Sequence, residues 1–242
     1  MKLKKTKIIA TLGPSCSSKT MISRLIGSGV DVFRINFSHS LHDEVTNIVS
    51  IIKELRIKHN KHVSILGDLQ GPKIRIGNVA ENTELKKGNE VIFTTRNIRT
   101  GDSKIVKINY TSFPNDVKKG ENILVDDGKI ILKVLNTDRN QNVRLKVIQG
   151  GILSSNKGVN LPNTKVSLPA LTQKDIKDAK LAIKLEFDWI ALSFVRSKND
   201  VILLKNLIEN NTEVLIPIIA KIEKPQAIKK MYEIIKVAKG IM

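Results

Sequence analysis

The 242-residue sequence predicts an α/β protein, a parallel sheet with crossover helices that is interrupted in its middle by a small all-β segment. Three observations carry this expectation. Apolar runs of strand length alternate with helix-period stretches up to Leu69 and again from Thr172 onward. From about Lys73 to Ser167 the text changes to short period-two runs bounded by turn residues. Polar side chains gather at the ends of the first kind of strand, where parallel folds place their ligands.

Each element has its own signal. Residues 6–12 form an apolar run closed by Gly13-Pro14, and residues 19–26 read helical before Gly27 and Gly29. Residues 30–37, VDVFRINF, are a second strand, and Ser38-His39-Ser40 offers capping side chains to a helix that ends near His59. Residues 63–69 are a third strand, broken at Gly71-Pro72. The inserted segment holds EVIFTT, NILVDDGKIILKVL and NVRLKVI, separated by Lys-Lys-Gly at 86–88 and 118–120 and by Asp126-Asp127-Gly128. After Leu168-Pro169, Thr172 is the N-cap of a helix with Asp175 in the capping-box position. A strand over 187–195, a helix from about Lys198, a strand over 214–222 and a helix from Pro225 to about Val237 follow, and Gly240-Ile241-Met242 opens a sixth strand. A doubly wound dinucleotide fold is the bland alternative, but no GxGxxG follows the first strand.

Composition narrows the function classes. The formal charge is +18, yet its 32 Lys and 9 Arg are scattered, and neither zinc-finger spacing nor an RNP-type aromatic motif is present. No specific nucleic-acid partner is therefore expected, only weak, salt-sensitive attraction to polyanions. The single cysteine, Cys16, has no disulfide partner in the chain and fits a reducing, cytoplasmic setting. The N-terminal stretch MKLKKTKIIATLGPSC begins like an export signal, but Gly13 and Pro14 break a short apolar part. No run approaches the roughly 20 apolar residues of a membrane span, so no membrane partner is expected.

The chemistry-bearing residues sit at strand ends. Arg34, Asn36 and Ser38 share one parity on the second strand, Asp68 closes the third, Ser193 and Arg196 belong to the fourth, and Lys221 and Glu223 face one side of the fifth. Several cations, a few carboxylates and no general-base histidine suit a phosphorylated anionic substrate with a divalent metal. Taken alone, Lys-x-Glu at a strand end reads as a solvated ion pair, and isolated lysines read as surface charge. The histidines at 39, 42, 59 and 62 are expected in surface or capping roles, Trp189 in the core, and Cys16 without an activating partner.

The stretches TKIIATLGPSC, DVFRINFSHS, ILGDLQGPKIRIG, SSNKGVNLPNTKVSLPALTQKDI, DWIALSFVR and IIAKIEKPQAI, spread from the first strand to the fifth, resemble the pyruvate kinases. The resemblance implies a (β/α)8 TIM-barrel fold truncated after about five βα units, with residues 1–71 and 169–242 forming the barrel part and 72–168 an inserted β-domain. It further implies phosphoryl transfer from phosphoenolpyruvate to ADP, giving pyruvate and ATP, with Mg2+ or Mn2+ and often K+, in a protein that is commonly a homo-oligomer. By motif, Lys221 corresponds to the lysine that stabilises the transferring phosphoryl group, Arg34 to the substrate-phosphate arginine and Glu223 to a magnesium ligand. Arg75 and Lys157 correspond to nucleotide-phosphate contacts, and Asn36, Ser38, Asp68 and the backbone of Leu69 to the monovalent-cation positions.

Two departures matter. Potassium-dependent members carry Glu where this sequence has Lys73 in GPKIR, so a fixed ammonium is expected to replace the mobile cation. Members also continue past the fifth helix with a stretch like DGIMVARGDLG, of which Gly240-Ile241-Met242 is the start, so weak or no activity is expected of these 242 residues by themselves. A non-catalytic remnant acting as a binding module, and a basic nucleic-acid binder, are the alternatives.

Overall fold

Strand and helix alternate through the first part of the chain, as its apolar spacing dictates. The computed structural model describes residues 5–242. These open with β1 (Ile9–Thr11), α1 (Lys19–Gly27), β2 (Val32–Asn36), α2 (His42–His59) and β3 (Ser64–Asp68). A run of short strands follows: β4 (Glu84–Leu85), β5 (Glu90–Thr94), β6 (Ile105–Lys107), one helical turn α3 (Phe113–Asp116), β7 (Asn122–Val125), β8 (Ile130–Thr137), β9 (Asn142–Gln149), β10 (Gly151–Ile152) and β11 (Val159–Asn160). Alternation then resumes with α4 (Gln173–Lys184), β12 (Trp189–Leu192), α5 (Lys198–Glu209), β13 (Ile218–Ala220), α6 (Pro225–Lys229), α7 (Met231–Ile235) and β14 (Gly240–Ile241). Two compact units result, one of the residues up to Pro72 with Pro169–Met242, the other Lys73–Leu168.

The first unit has a six-stranded sheet in the order β1-β2-β3-β12-β13-β14 with every pairing parallel. Within this unit each strand lies beside the next one in sequence. No reversal of order occurs, so the switch-point crevice of a doubly wound sheet does not form and the winding is that of a barrel wall. β3 shows why the sheet is covered on both faces, since Ile65, Leu66, Gly67 and Asp68 are all buried. Gly67 is required there because an added Cβ would lie 3.0 Å from the rings of both Phe37 and Phe187, which stack with centroids 6.0 Å apart. Ile22 and Ile26 of α1 and Val45, Val49, Ile52 and Leu55 of α2 complete the core on that side at helical spacing.

Capping follows the sequence at α1, where Ser18 Oγ accepts from the Met21 N–H, and at α4, where Thr172 and Asp175 exchange both bonds of a capping box. It differs at α2. Leu41 is the N-cap, and the Glu44 carboxylate accepts from its N–H, because Ser40 Oγ is spent donating to the Asn36 carbonyl inside the preceding turn. The helix expected over 225–237 is two short ones, broken at Lys230, where φ −114 and ψ 17 leave the helical region. Strands are shorter than their apolar runs because the flanking residues turn out of the ladder, as Phe194 does after β12 with φ 55.

The second unit carries a six-stranded sheet, β11-β7-β8-β9-β5-β6, and the small pair β10-β4. Its own core includes Phe93, Leu132, Leu145 and Val147, drawn from the buried parity of their strands, and Phe113 of α3. Among the described residues no helix is long and apolar enough to cross a membrane.

Candidate active site

Asp68 is the centre of the site. It ends β3, in register with Asn36 on β2 and Ala191 on β12, and its side chain is 2% exposed. A buried carboxylate needs charged partners, and two supply them. Arg34, one strand away, donates to Asp68 Oδ2 from Nε at 2.9 Å and from Nη2 at 2.5 Å. Lys221, from the far side of β12, places Nζ 3.2 Å from Oδ1 and 3.3 Å from Oδ2. The free end of the Arg34 fork donates to Thr11 Oγ1 at 2.9 Å, a contact set by the parallel register that puts Thr11 beside Arg34.

Lys221 follows directly on β13, its N–H continuing the ladder to the Leu192 carbonyl at 3.0 Å. Its ammonium donates to Ser193 Oγ at 2.8 Å, and that hydroxyl donates to the Leu69 carbonyl at 2.6 Å. Glu223, two residues on and of the same parity, has Oε1 3.3 Å from Lys221 Nζ, while Oε2 accepts from the Phe194 N–H at 2.9 Å. Lys224 lies next to this group, its Nζ 5.6 Å from the Phe194 ring centroid. Burial pushes its ammonium below the usual lysine range, and the nearby Arg196 charge adds to the effect.

The structure thus brings Arg34, Asp68, Leu69, Lys221 and Glu223 together at the carboxyl ends of β2, β3, β12 and β13. Asn36 and Ser38 close their own turn instead, Asn36 Oδ1 accepting from the Ser38 N–H at 3.1 Å. Lys73, Arg75 and Lys157 belong to the second unit, where the chain at 74–76 runs antiparallel to 157–159. There Arg75 donates to the Asn156 carbonyl at 2.8 Å, and Lys157 pairs with Asp126 at 3.0 Å. Lys157, then Lys129, hold the Asp126 carboxyl below the usual carboxylate range.

Two histidines do more than coat the surface. His42 Nε2 meets the buried Asp178 at 2.7 Å, and His59 Nε2 meets Ser23 Oγ at 2.7 Å. Asp178 also takes Lys174, which donates on to the Phe37 carbonyl at 2.6 Å and so braces the end of β2. Trp189, expected in the core, is half-buried. Nothing in the sequence marks Thr11 or the Phe194 amide. Only the strand register reveals Thr11, and a backbone N–H has no sequence signature.

The atoms of the cluster able to ligate a metal are all oxygens, which fits a hard divalent cation better than a soft one. No group of three or more His, Cys, Asp or Glu side chains able to hold a metal occurs among the described residues. Asp68 is taken up by two cations, so Glu223 is the carboxylate with capacity to spare. A single carboxylate completed by water and substrate oxygens is an ordinary way to hold magnesium.

Fold and site together define a barrel-type α/β protein with a charge cluster at the carboxyl ends of its strands. The family model described as pyruvate kinase, barrel domain, matches residues 3–242. The chain belongs to the pyruvate kinase family. It is 42% identical over 241 residues to the pyruvate kinase of Thermotoga maritima, with 99% of this chain and 51% of that protein covered. It is 39% identical over 239 residues to that of Corynebacterium glutamicum, covering 99% and 50%. Against that of Staphylococcus aureus it is 38% identical over 242 residues, covering 99% and 41%. The chain spans about half the length of the relatives it matches.

Proposed function

We propose that this chain carries the phosphate-handling part of a pyruvate kinase-type site, moving a phosphoryl group from phosphoenolpyruvate to ADP to give pyruvate and ATP. The observation that carries the reading is the shared carboxylate: Asp68 draws Arg34 from β2 and Lys221 from beyond β13 onto one point. Two cations fixed by one buried anion are pre-oriented for a phosphate and need little rearrangement when it arrives. The planar fork of Arg34 suits two phosphate oxygens, and the ammonium of Lys221 suits the dispersed negative charge of a loose transition state.

Mg2+ or Mn2+ would be held by Glu223, where it would supply charge neutralisation between the substrate's phosphate and carboxylate. Lys221, paired with both Asp68 and Glu223, acts as a fixed charge. Arg75 and Lys157 are assigned to the phosphates of ADP. Asn36, Ser38, Asp68 and the Leu69 carbonyl are assigned to the monovalent-cation position, with Lys73 substituting for K+.

The test is phosphoenolpyruvate binding to the 242-residue chain with Mn2+ present, followed by isothermal titration calorimetry. Arg34→Met is expected to weaken binding by about tenfold or more, through loss of a charge-assisted fork to the phosphate. A parent chain that takes up no phosphoenolpyruvate, or a variant that binds as well as the parent, sinks the reading. A second reading, a non-catalytic binding module, draws on the separate core of the second unit. It requires phosphoenolpyruvate binding without ATP formation even when the chain is joined to the part of a relative that it does not span.

A further inference from the structure

Eight described non-glycine residues have positive φ, and five of them are Asn or Asp, which tolerate it. Phe194, at φ 55, is the aromatic one. A bulky side chain does not choose this conformation by itself; the surroundings impose it. Gly71, itself at φ +66, gives the ring its seat, since a Cβ on Gly71 would lie 2.9 Å from Phe194 Cδ2. Lys224 Nζ adds a cation at 5.6 Å from the ring centroid.

The consequence is local and specific. The turn takes Phe194 out of the β12 ladder and aims its N–H at Glu223 Oε2, 2.9 Å away. The residue before it, Ser193, accepts from Lys221 Nζ at 2.8 Å. Two consecutive residues after β12 therefore hold both members of the Lys-x-Glu pair, one through a hydroxyl and one through a backbone amide. We propose that Phe194 is a positioning residue whose left-handed backbone fixes the Glu223 carboxylate in the orientation needed to ligate a divalent cation. This rests on the pyruvate kinase-type reading of Glu223.

Manganese(II) is the probe, its free concentration read by electron paramagnetic resonance with the 242-residue chain. Phe194→Gly and Phe194→Asn keep the N–H and sit easily at positive φ, so both are expected to bind manganese close to the parent. Phe194→Val is β-branched and resists that conformation, and is expected to bind about tenfold or more weakly, approaching Glu223→Gln. Equal binding by the Val and Gly variants overturns the proposal. Loss of fold is separated from loss of orientation by leaving Phe194 intact and following its amide by 15N NMR. In Glu223→Ala the Phe194 amide proton is expected to move upfield and to exchange faster with solvent. An unchanged amide also overturns the proposal. Should the parent bind no manganese, the metal reading of Glu223 fails, while the amide measurement still decides whether Phe194 holds that carboxylate.

Discussion

Lys221 is 15% exposed and shares its carboxylate with Arg34, so Asp68 is an anion whose removal would leave two cations facing each other in a half-buried site. Breaking such a buried pair from one side costs about 3–5 kcal/mol, because the remaining charges lose their counter-ion. The cluster holds positive charge ready, and the proposed replacement of the monovalent ion by Lys73 has its own test. In an active assembly containing this chain, phosphoryl transfer is expected to be as fast in tetramethylammonium as in potassium, and Lys73→Glu is expected to restore dependence on potassium. A large potassium activation of the Lys73 form would count against the substitution. Arg34, Asp68, Lys221 and Glu223 could be picked out in the sequence because each is a charged residue in or just after an apolar strand run and lies in a stretch that resembles the pyruvate kinases. Thr11 and Phe194 could not, because their roles depend on register and on a backbone angle.

Single elements show where local chemistry decides and where it does not. Asp175 completes the α4 capping box with Oδ2 and accepts the Gly71 N–H with Oδ1 at 2.9 Å, so one carboxylate fastens both the strand-three exit and the α4 entry. Sequence spacing predicts the first bond, whereas the second joins residues 104 apart and depends on the fold. In the β8–β9 turn, Asp138 accepts from the N–H groups of Asn142, Asn140 and Gln141, and these hold its carboxyl down to about 2. A depressed carboxylate contributes stability above its unfolded value of 3.8, and that contribution is lost as pH falls through about 2. Asp138→Asn is thus expected to lower the melting temperature of the chain at pH 6 and to have a vanishing effect near pH 2, modestly so because the turn is exposed. Thermal melts of both forms across that range check it, and a deficit that persists unchanged at pH 2 contradicts the charge-based account.

On the scale of the whole chain, the sheet of the described residues runs from β1 to β14, and α6 and α7 present Ile228, Tyr232 and Ile235 to solvent at 66%, 73% and 53% exposure. Exposed apolar side chains grouped on two neighbouring helices favour association. Ile228→Lys with Tyr232→Lys is expected to raise the concentration at which the chain stays monodisperse in analytical ultracentrifugation; no change would show that this group plays no part. The sequence by itself determined the βα alternation, the all-β interruption and the residue types of the charge cluster, because helix and strand periods, turn residues and charges are properties of short stretches. The tertiary structure decided the sequential strand order, the convergence of Arg34 and Lys221 on Asp68, the break at Lys230 and the left-handed turn at Phe194. Those features depend on which distant segments become neighbours, and that is settled by burial and strand register over the whole unit.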